Sequence, residues 1–392
     1  MATIIDGKKR IPFMRGMLVH YLIERGFPQG EARAIANAAR DALVRQKSIR
    51  RKEIIRLIAG LIQARGKERN AGSLVFWDRQ PTTLTVERVS GARPFSREIL
   101  SHSVQAAGLP IDRAQRVAAE VESHLIDRRV KRVQHEALGE LVAARLREQV
   151  GEPYAECYRV WRVRSALNRP LVILIGGATG VGKTSLAISL ANLLDIPRVV
   201  ATDDIRQVMR LMLSPDLVPT LHPSSYSAGE VLSGFTPNGD EPVIAGYREQ
   251  SRIVNVGVRA MIDRCVEENT SVIIDGVHLL PDLLDREAWR DTAFVIAICL
   301  ALHDPQAYRE RFAKRSATAP RRPVHQYLTH LDQILAIQKH VVDSCAAHDI
   351  PVLDTTTVDD LASAAAMMVA ERLQDHPDVQ KAMRNGRRRK RR

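Results

Sequence analysis

The sequence predicts an α/β fold, a parallel sheet covered by helices, preceded by a mainly helical region that occurs twice. Three observations predict it. Between residue 168 and about 374, short apolar runs at 171–175, 198–201, 271–275, 294–300 and 351–353 alternate with longer helical patterns, as parallel βα units do. A glycine-rich turn joins the first of those runs to the helical pattern after it. Residues 1–165 repeat internally: Pro12-Phe13, Leu18, Gly26, Pro28, Ala32, Ala36 and Leu43 recur as Pro94-Phe95, Leu100, Gly108, Pro110, Ala114, Ala118 and Leu125, at an offset of 82 throughout.

Each copy opens on a short β-like segment, Thr3-Ile4-Ile5 in the first and residues 84–89 in the second. Helical periodicity follows, with Ala114, Val117, Ala118, Val121 and Leu125 on one face. Gly26 and Gly108, each followed by an apolar residue and Pro, predict helix ends. The predicted organisation is 1–82 and 83–165 for the two copies, 166–375 for the sheet domain, and 376–392 for a basic disordered tail.

The turn after the first apolar run reads Gly177-Ala178-Thr179-Gly180-Val181-Gly182-Lys183-Thr184, which is G-x-x-x-x-G-K-T between a strand and a helix, a P-loop. Its glycines let successive backbone N–H groups turn inward toward an anion, and the helix N-terminus adds partial positive charge there. Residues Gly177, Ala178, Thr179, Gly180, Val181, Gly182, Lys183, Thr184 and Ser185 are therefore expected to cradle the phosphates of a nucleoside triphosphate. Lys183 would reach the β- and γ-phosphates and Thr184 would be a Mg²⁺ ligand.

Composition is that of ordinary globular protein: 392 residues, 45% hydrophobic and 26% charged, with aromatics only 4%, so the core is aliphatic. The four cysteines are scattered without metal-ligand spacing, which predicts a reducing compartment and no zinc site. With no signal-like apolar core and no stretch of about 18 apolar residues, the expectation is a cytoplasmic protein without membrane association. Of the net charge of +13, seven units come from Arg384, Arg387, Arg388, Arg389, Lys390, Arg391 and Arg392. Such a run either contacts nucleic acid or an anionic surface, or is a solvated end.

In an open α/β sheet, ligands gather at the carboxyl ends of the strands. After the second predicted strand comes Thr202-Asp203-Asp204-Ile205-Arg206, running to Arg210. Asp203 could accept the proton of an attacking hydroxyl or hold Mg²⁺ through water, and Arg206 and Arg210, one helical turn apart, could face one anion. A capping acid with solvated arginines is the alternative. The run 271–275 ends in an acid, as a Walker B strand does, so Asp275 is expected to orient the metal's water shell. His278, three residues on, could touch a substrate phosphate or stack in the turn. Arg309, Arg311 and Arg315 lie on one predicted helix, with Arg321-Arg322-Pro323 beyond it, where a closing lid would neutralise a transferring phosphoryl group. The long segment 214–240 carries Pro, Ser, Gly and Asn and is predicted to be an irregular, functional loop.

Two resemblances follow from these motifs. The second repeat, with V-x-x-x-x-G-x-x-x-F from Val86 to Phe95, central helices and the closing Tyr154-Ala155-Glu156-Cys157-Tyr158, resembles the ATP-cone, a helical nucleotide-sensing domain. That resemblance implies a regulatory adenine nucleotide, with Arg88 and Arg93 as the basic residues to test. The first copy keeps Asp6-Gly7 and Phe13 but lacks the Y-A-x-x-Y ending, so it reads as a degenerate cone.

The stretch from about Arg169 to Leu353, with G-G-A-T-G-V-G-K-T, T-D-D-I-R-Q-V-M-R, L-V-P-T-L-H-P-S-S-Y, V-I-I-D-G-V-H-L-L-P and R-F-A-K-R, resembles 2-phosphoglycerate kinase, a P-loop kinase. The resemblance implies phosphoryl transfer from ATP to the 3-hydroxyl of a small phosphorylated acid, 2-phosphoglycerate. Asp203, Arg206, Arg210, Ser225, Tyr226, His278, Arg311, Arg315 and Arg322 fall on its motif residues. Asp275 stands where that pattern has Glu, and the duplicated cone and basic tail are additions. A polynucleotide-end or sugar kinase remains an alternative, as does a non-catalytic ATP-dependent switch.

Overall fold

The computed structural model describes residues 3–6, 9–13, 15–24, 27, 29–43, 48–64, 84–88, 91–232, 241–318, 324–356, 358 and 360–389. Of the residues singled out above, Gly7, Gly26, Pro28, Val89, Arg321, Arg322 and Pro323 lie outside that set, as do the last three residues of the tail. The chain divides into two compact units, Met1–Leu84 and Thr85–Arg392.

In the first unit, β1 (Thr3–Asp6) and β2 (Lys9–Pro12) form a hairpin, followed by α1 (Arg15–Glu24), α2 (Gln29–Leu43), β3 (Ser48–Arg50) and α3 (Arg51–Gln63). β1 lies between an antiparallel β2 and a parallel β3. Ile4, Leu18, Leu22, Ile35, Ile54, Ile58 and Ile62 close the core beneath this cap.

The second unit opens with the same design. β4 (Thr85–Arg88) lies between β5 (Gly91–Pro94) and β6 (Arg132–Gln134), with α4 (Arg97–Gln105), α5 (Ile111–Asp127), α6 (His135–Gln149) and α7 (Glu152–Ala166) around them. The repeat read from the sequence is thus a structural repeat down to its register: Thr3 pairs with Pro12 as Thr85 pairs with Pro94. Ser96 caps α4 by accepting from the Ile99 amide at 3.1 Å. Gly108, at φ +92°, ends the α4 turn as expected. The predicted face of α5 is the buried one.

The remainder of this unit is a five-stranded sheet in the order β11-β10-β7-β9-β8. Its strands are β7 (Leu171–Gly177), β8 (Arg198–Ala201), β9 (Val272–Asp275), β10 (Phe294–Ala301) and β11 (Val352–Asp354). Every pairing is parallel. The helices are α8 (Lys183–Leu193), α9 (Thr202–Met212), α10 (Pro242–Glu267), α11 (Pro305–Thr318), α12 (Val324–Thr329), α13 (Leu331–Ala347), α14 (Leu361–Gln374) and α15 (Pro377–Arg389). α8 and α14 pack on one face, α10 and α13 on the other. All seven residues of β7 are buried, as a central parallel strand between helix layers requires.

The five strands fall where the apolar runs predicted them, within two residues. The tail differs from expectation. Residues 377–389 are helical; Val379 is buried, and Arg169 bonds to Asp378 while stacking over Phe294 at 4.7 Å. The second repeat also differs from an isolated domain: it shares one compact unit with the sheet, α7 packing against α14 and α15. Among the described residues, no helix is long and apolar enough to cross a membrane.

Ile274 of β9 is fully buried in the cluster that joins the sheet to α10. Ile274→Ala is expected to lower unfolding free energy by about 2–5 kcal/mol, read as a lower urea midpoint at unchanged slope.

Candidate active site

The P-loop geometry follows from backbone constraint. Gly177, Gly180 and Gly182 have φ of +138°, +93° and +98°, a region costly for residues with a Cβ. Space agrees: a Cβ on Gly177 would sit 2.4 Å from the Leu300 carbonyl oxygen of β10, and one on Gly180 would sit 2.6 Å from the Phe312 ring. α8 starts at Lys183, so the amides of Lys183, Thr184 and Ser185 form the first turn of an 11-residue helix and have no intrahelical partners. Lys183 Nζ donates to the Ala178 carbonyl at 2.7 Å, folding the side chain over the loop.

Sheet order brings the acid of β9 to this loop. β9 lies between β7 and β8, with Asp275 in register with Ile175 on one side and Ala201 on the other. Thr184 Oγ1 donates to Asp275 Oδ2 at 2.7 Å. Asp275 Oδ1 is buried and has no hydrogen-bond partner among the described residues. Burial raises the Asp275 pKa, the Thr184 hydrogen bond and Lys183 lower it, and Asp203 and Asp204 raise it again. A buried carboxylate with a bare oxygen beside other acids suits a cation, and the Thr184–Asp275 pair fits Mg²⁺ held through hydroxyl and water. Among the described residues no group of three or more His, Cys, Asp or Glu forms a metal cage; Mg²⁺ bound mainly by phosphates needs none.

Across β9, Thr202 begins α9 and directs Asp203 outward, its side chain 68% exposed. Arg206 Nε lies 3.5 Å from Asp203 Oδ1, while its Nη1 donates to the carbonyls of Leu221 (3.2 Å) and Pro223 (2.9 Å). Arg206 therefore holds the loop 219–225, and burial lowers its pKa against the pull of Asp203. Arg210 is half-buried and bonds Gln207 at 3.2 Å, with no hydrogen-bond partner for Nε among the described residues.

Four of the residues expected at the substrate, His278, Ser225, Tyr226 and Arg311, make their contacts within the protein. His278 is fully buried, its ring against Thr202, Ser225 and Gln250, so it does not present a cation to a phosphate. Burial lowers its pKa to about 3. Ser225 points to that histidine, and Tyr226 packs edge-on to Tyr327 and against His330; both are buried. Arg311 Nη1 donates to the Val181 carbonyl and Nη2 to the Thr355 carbonyl, both at 3.0 Å, tying α11 to the P-loop and to the turn after β11. Arg315 lies on α11, with its side chain outside the described set, as is all of Arg322. The lid region is instead organised by rings: Phe312 lies against Gly180 and stacks on Tyr327 at 4.8 Å, and Tyr327 meets Tyr226.

Relatives decide the family. A 2-phosphoglycerate kinase of Methanopyrus kandleri is 34% identical over 281 residues, covering 71% of this chain and 85% of its own. One from Pyrococcus furiosus is 35% identical over 292 residues, covering 73% and 93%. The chain belongs to the 2-phosphoglycerate kinase family. It is a phosphotransferase. Residues 86–166, the second repeat, match the ATP cone domain family. Among solved structures, a shikimate kinase from Acinetobacter baumannii aligns over 53% of this chain and 95% of its own, at 15% identity and a TM-score of 0.31. The P-loop kinase fold is established by the strand order and the loop geometry instead.

Two further polar residues of this family member, Gln250 and Asn255, are buried at the site without a motif to mark them. A signal was present: Gln250, Ser251 and Asn255 interrupt the apolar face that Ile244, Val254, Val258 and Ile262 make on α10.

With a folded pKa of about 3 against an ordinary 6.5, His278 leaves the folded protein with fewer bound protons than the unfolded chain between those values. Its contribution to stability is complete above pH ~6.5 and declines as pH falls toward ~3. Thermal midpoints followed by circular dichroism from pH 7 to pH 4 should fall more steeply for wild type than for His278→Gln; equal slopes would contradict the neutral ring.

Proposed function

We propose that this phosphotransferase moves the γ-phosphoryl group of ATP to the 3-hydroxyl of 2-phosphoglycerate, giving 2,3-bisphosphoglycerate and ADP. The observation that carries the reading is the pairing, at the carboxyl ends of the parallel strands, of a P-loop with an exposed Asp203 flanked by Arg206 and Arg210. That arm lies in a chain whose relatives bear the name of this kinase over most of their length.

On this reading the P-loop amides and Lys183 hold the ATP phosphates. Thr184 and Asp275 would hold Mg²⁺, which when bound offsets charge on the phosphate oxygens. Arg210 grips the anionic acceptor, with Arg206 keeping the adjoining loop in place. Asp203 takes the proton of the 3-hydroxyl as its oxygen bonds to the γ-phosphorus and the bond to the β-phosphate oxygen breaks. Tyr226, Tyr327 and Phe312 exclude water from the transfer. An adenine nucleotide at the second repeat acts as regulator, with Arg88 and Arg93 exposed on β4 and β5 to meet it.

The test is incubation of purified protein with Mg-ATP and a panel of phosphorylated three-carbon acids, followed by phosphorus NMR. New 2,3-bisphosphate resonances with 2-phosphoglycerate alone support the reading. ADP formation with a different acid moves the acceptor, and none with any acid sends the search to sugars and nucleic-acid ends. Lys183→Ala is expected to abolish turnover. Asp203→Asn should lower kcat by about 10²–10⁴-fold with acceptor KM little changed. Arg210→Ala should raise acceptor KM about tenfold or more and leave the KM for ATP unchanged, all read in a coupled ADP assay.

A further inference from the structure

Polar side chains persist in a protein interior chiefly where they are hydrogen-bonded, and on α10 it is Gln250 whose donors and acceptor are both engaged beside the loop 219–225. Gln250 is fully buried. Its Nε2 donates to the carbonyls of Thr220 at 2.6 Å and Pro223 at 3.1 Å. With both amide protons committed, its Oε1 faces His278 Nε2 at 3.0 Å and can only accept. The proton of the neutral imidazole is therefore on Nε2. Nδ1 is then an acceptor, and it takes the hydroxyl proton of Thr202 at 2.8 Å. Ser225 Oγ, 3.5 Å from Nε2, faces the same proton. Asn255 fixes the backbone of the same residue, donating to the His278 carbonyl at 2.9 Å.

These bonds close on themselves. Thr202 starts α9, His278 follows β9, Gln250 lies on α10, and Pro223 belongs to the loop. The Pro223 carbonyl that receives Gln250 also receives Arg206 of α9 at 2.9 Å. The turn after β9 comes this close to α9 because residue 276 is glycine: a Cβ there would lie 1.7 Å from Thr202 Oγ1.

We propose that Thr202, His278 and Gln250 are positioning residues, a proton-ordered circuit that fixes the start of α9, and with it Asp203 and Arg206, relative to the loop 219–225, and so sets acceptor binding. The inference rests on the reading that α9 serves the acceptor. None of the three touches the substrates; they act through Asp203, Arg206 and the loop. His278 is thereby assigned to the framework of the acceptor pocket, not to its lining, and Gln250 is the residue that selects its tautomer.

Two measurements test it. The first is long-range ¹H–¹⁵N correlation on histidine-labelled full-length protein, with His278 identified by its absence in His278→Gln. The expected ring is the Nε2–H tautomer, neutral from pH 8 to pH 5. A ring that titrates near 6.5, or carries its proton on Nδ1, overturns the circuit. The second is a kinetic comparison of Thr202→Val, which keeps shape and loses the donor, with Thr202→Ser, which keeps the donor.

Thr202→Val should raise acceptor KM at least tenfold and change the KM for ATP by less than twofold. Thr202→Ser should return acceptor KM most of the way to wild type. Gln250→Glu, which cannot donate to the two loop carbonyls, should show the same acceptor-specific rise. Should Gln250→Glu fail to fold, the Thr202 pair decides. An unchanged acceptor KM in Thr202→Val, or equal losses for both substrates, overturns the proposal. A wild type inactive on 2-phosphoglycerate would instead count against the acceptor assignment, and the tautomer measurement would still decide the circuit.

Discussion

The site depends on β9 being inserted between β7 and β8. The ladders on its two sides place Asp275 level with the strand ends that lead into the P-loop and into α9. A slip of one residue in either ladder would turn alternate side chains to the opposite face and break the 2.7 Å contact from Thr184 to Asp275. The run Val272-Ile273-Ile274 is buried throughout, so a slip would also cost core packing. The register that buries the aliphatic side chains is thus the register that aligns the charged ones. The P-loop glycines serve the same end on the β10 side, where Gly177 lies against the Leu300 carbonyl with no room for a side chain.

Much of the polar chemistry around the P-loop and α9 is structural. Arg311 and Arg206 each bind two backbone carbonyls. Guanidinium suits that task because its planar fork presents several donors in fixed directions. Carbonyls of irregular segments need such partners when water is excluded. Loop 219–225 illustrates the point: Gln250 and Arg206 together supply donors to Thr220, Leu221 and Pro223. The loop is thereby tied to α9 and α10 by side-chain donors.

The second repeat is continuous with the catalytic core. α14 packs against α7 of the repeat and against α8, the helix that begins at the P-loop lysine. Gly108, at the turn between α4 and α5, faces Met367 of α14, and a Cβ there would meet that side chain at 2.4 Å. His102 Nε2 lies 3.2 Å from the Asn192 carbonyl at the end of α8. Domain resemblance in the sequence therefore marked an evolutionary module but not a separate packing unit, because buried area on α7 and α14 is legible only when both helices are in place. The first repeat, by contrast, has its own aliphatic core within Met1–Leu84.

The sequence by itself determined what local chemistry determines. Strand positions followed from apolar runs, the P-loop from glycines that alone tolerate its φ angles, and the repeat from residues that recur at a constant offset down to the same strand register. It also marked Asp203, Asp275, Arg206 and Arg210 as chemistry-bearing. Their division of labour was decided only in three dimensions. His278 is neutral because it is buried, and its ring nitrogens face Thr202 and Gln250, distant in sequence by 76 and 28 residues. Whether Arg311 faces a phosphate or a carbonyl depends on Val181, 130 residues away. The first turn of the helix at 377–389 is likewise held from afar, Asp378 bonding Arg169, 209 residues away. The physical reason is common to all of these: burial and hydrogen-bond partners set charge state and direction, and both are properties of the folded neighbourhood.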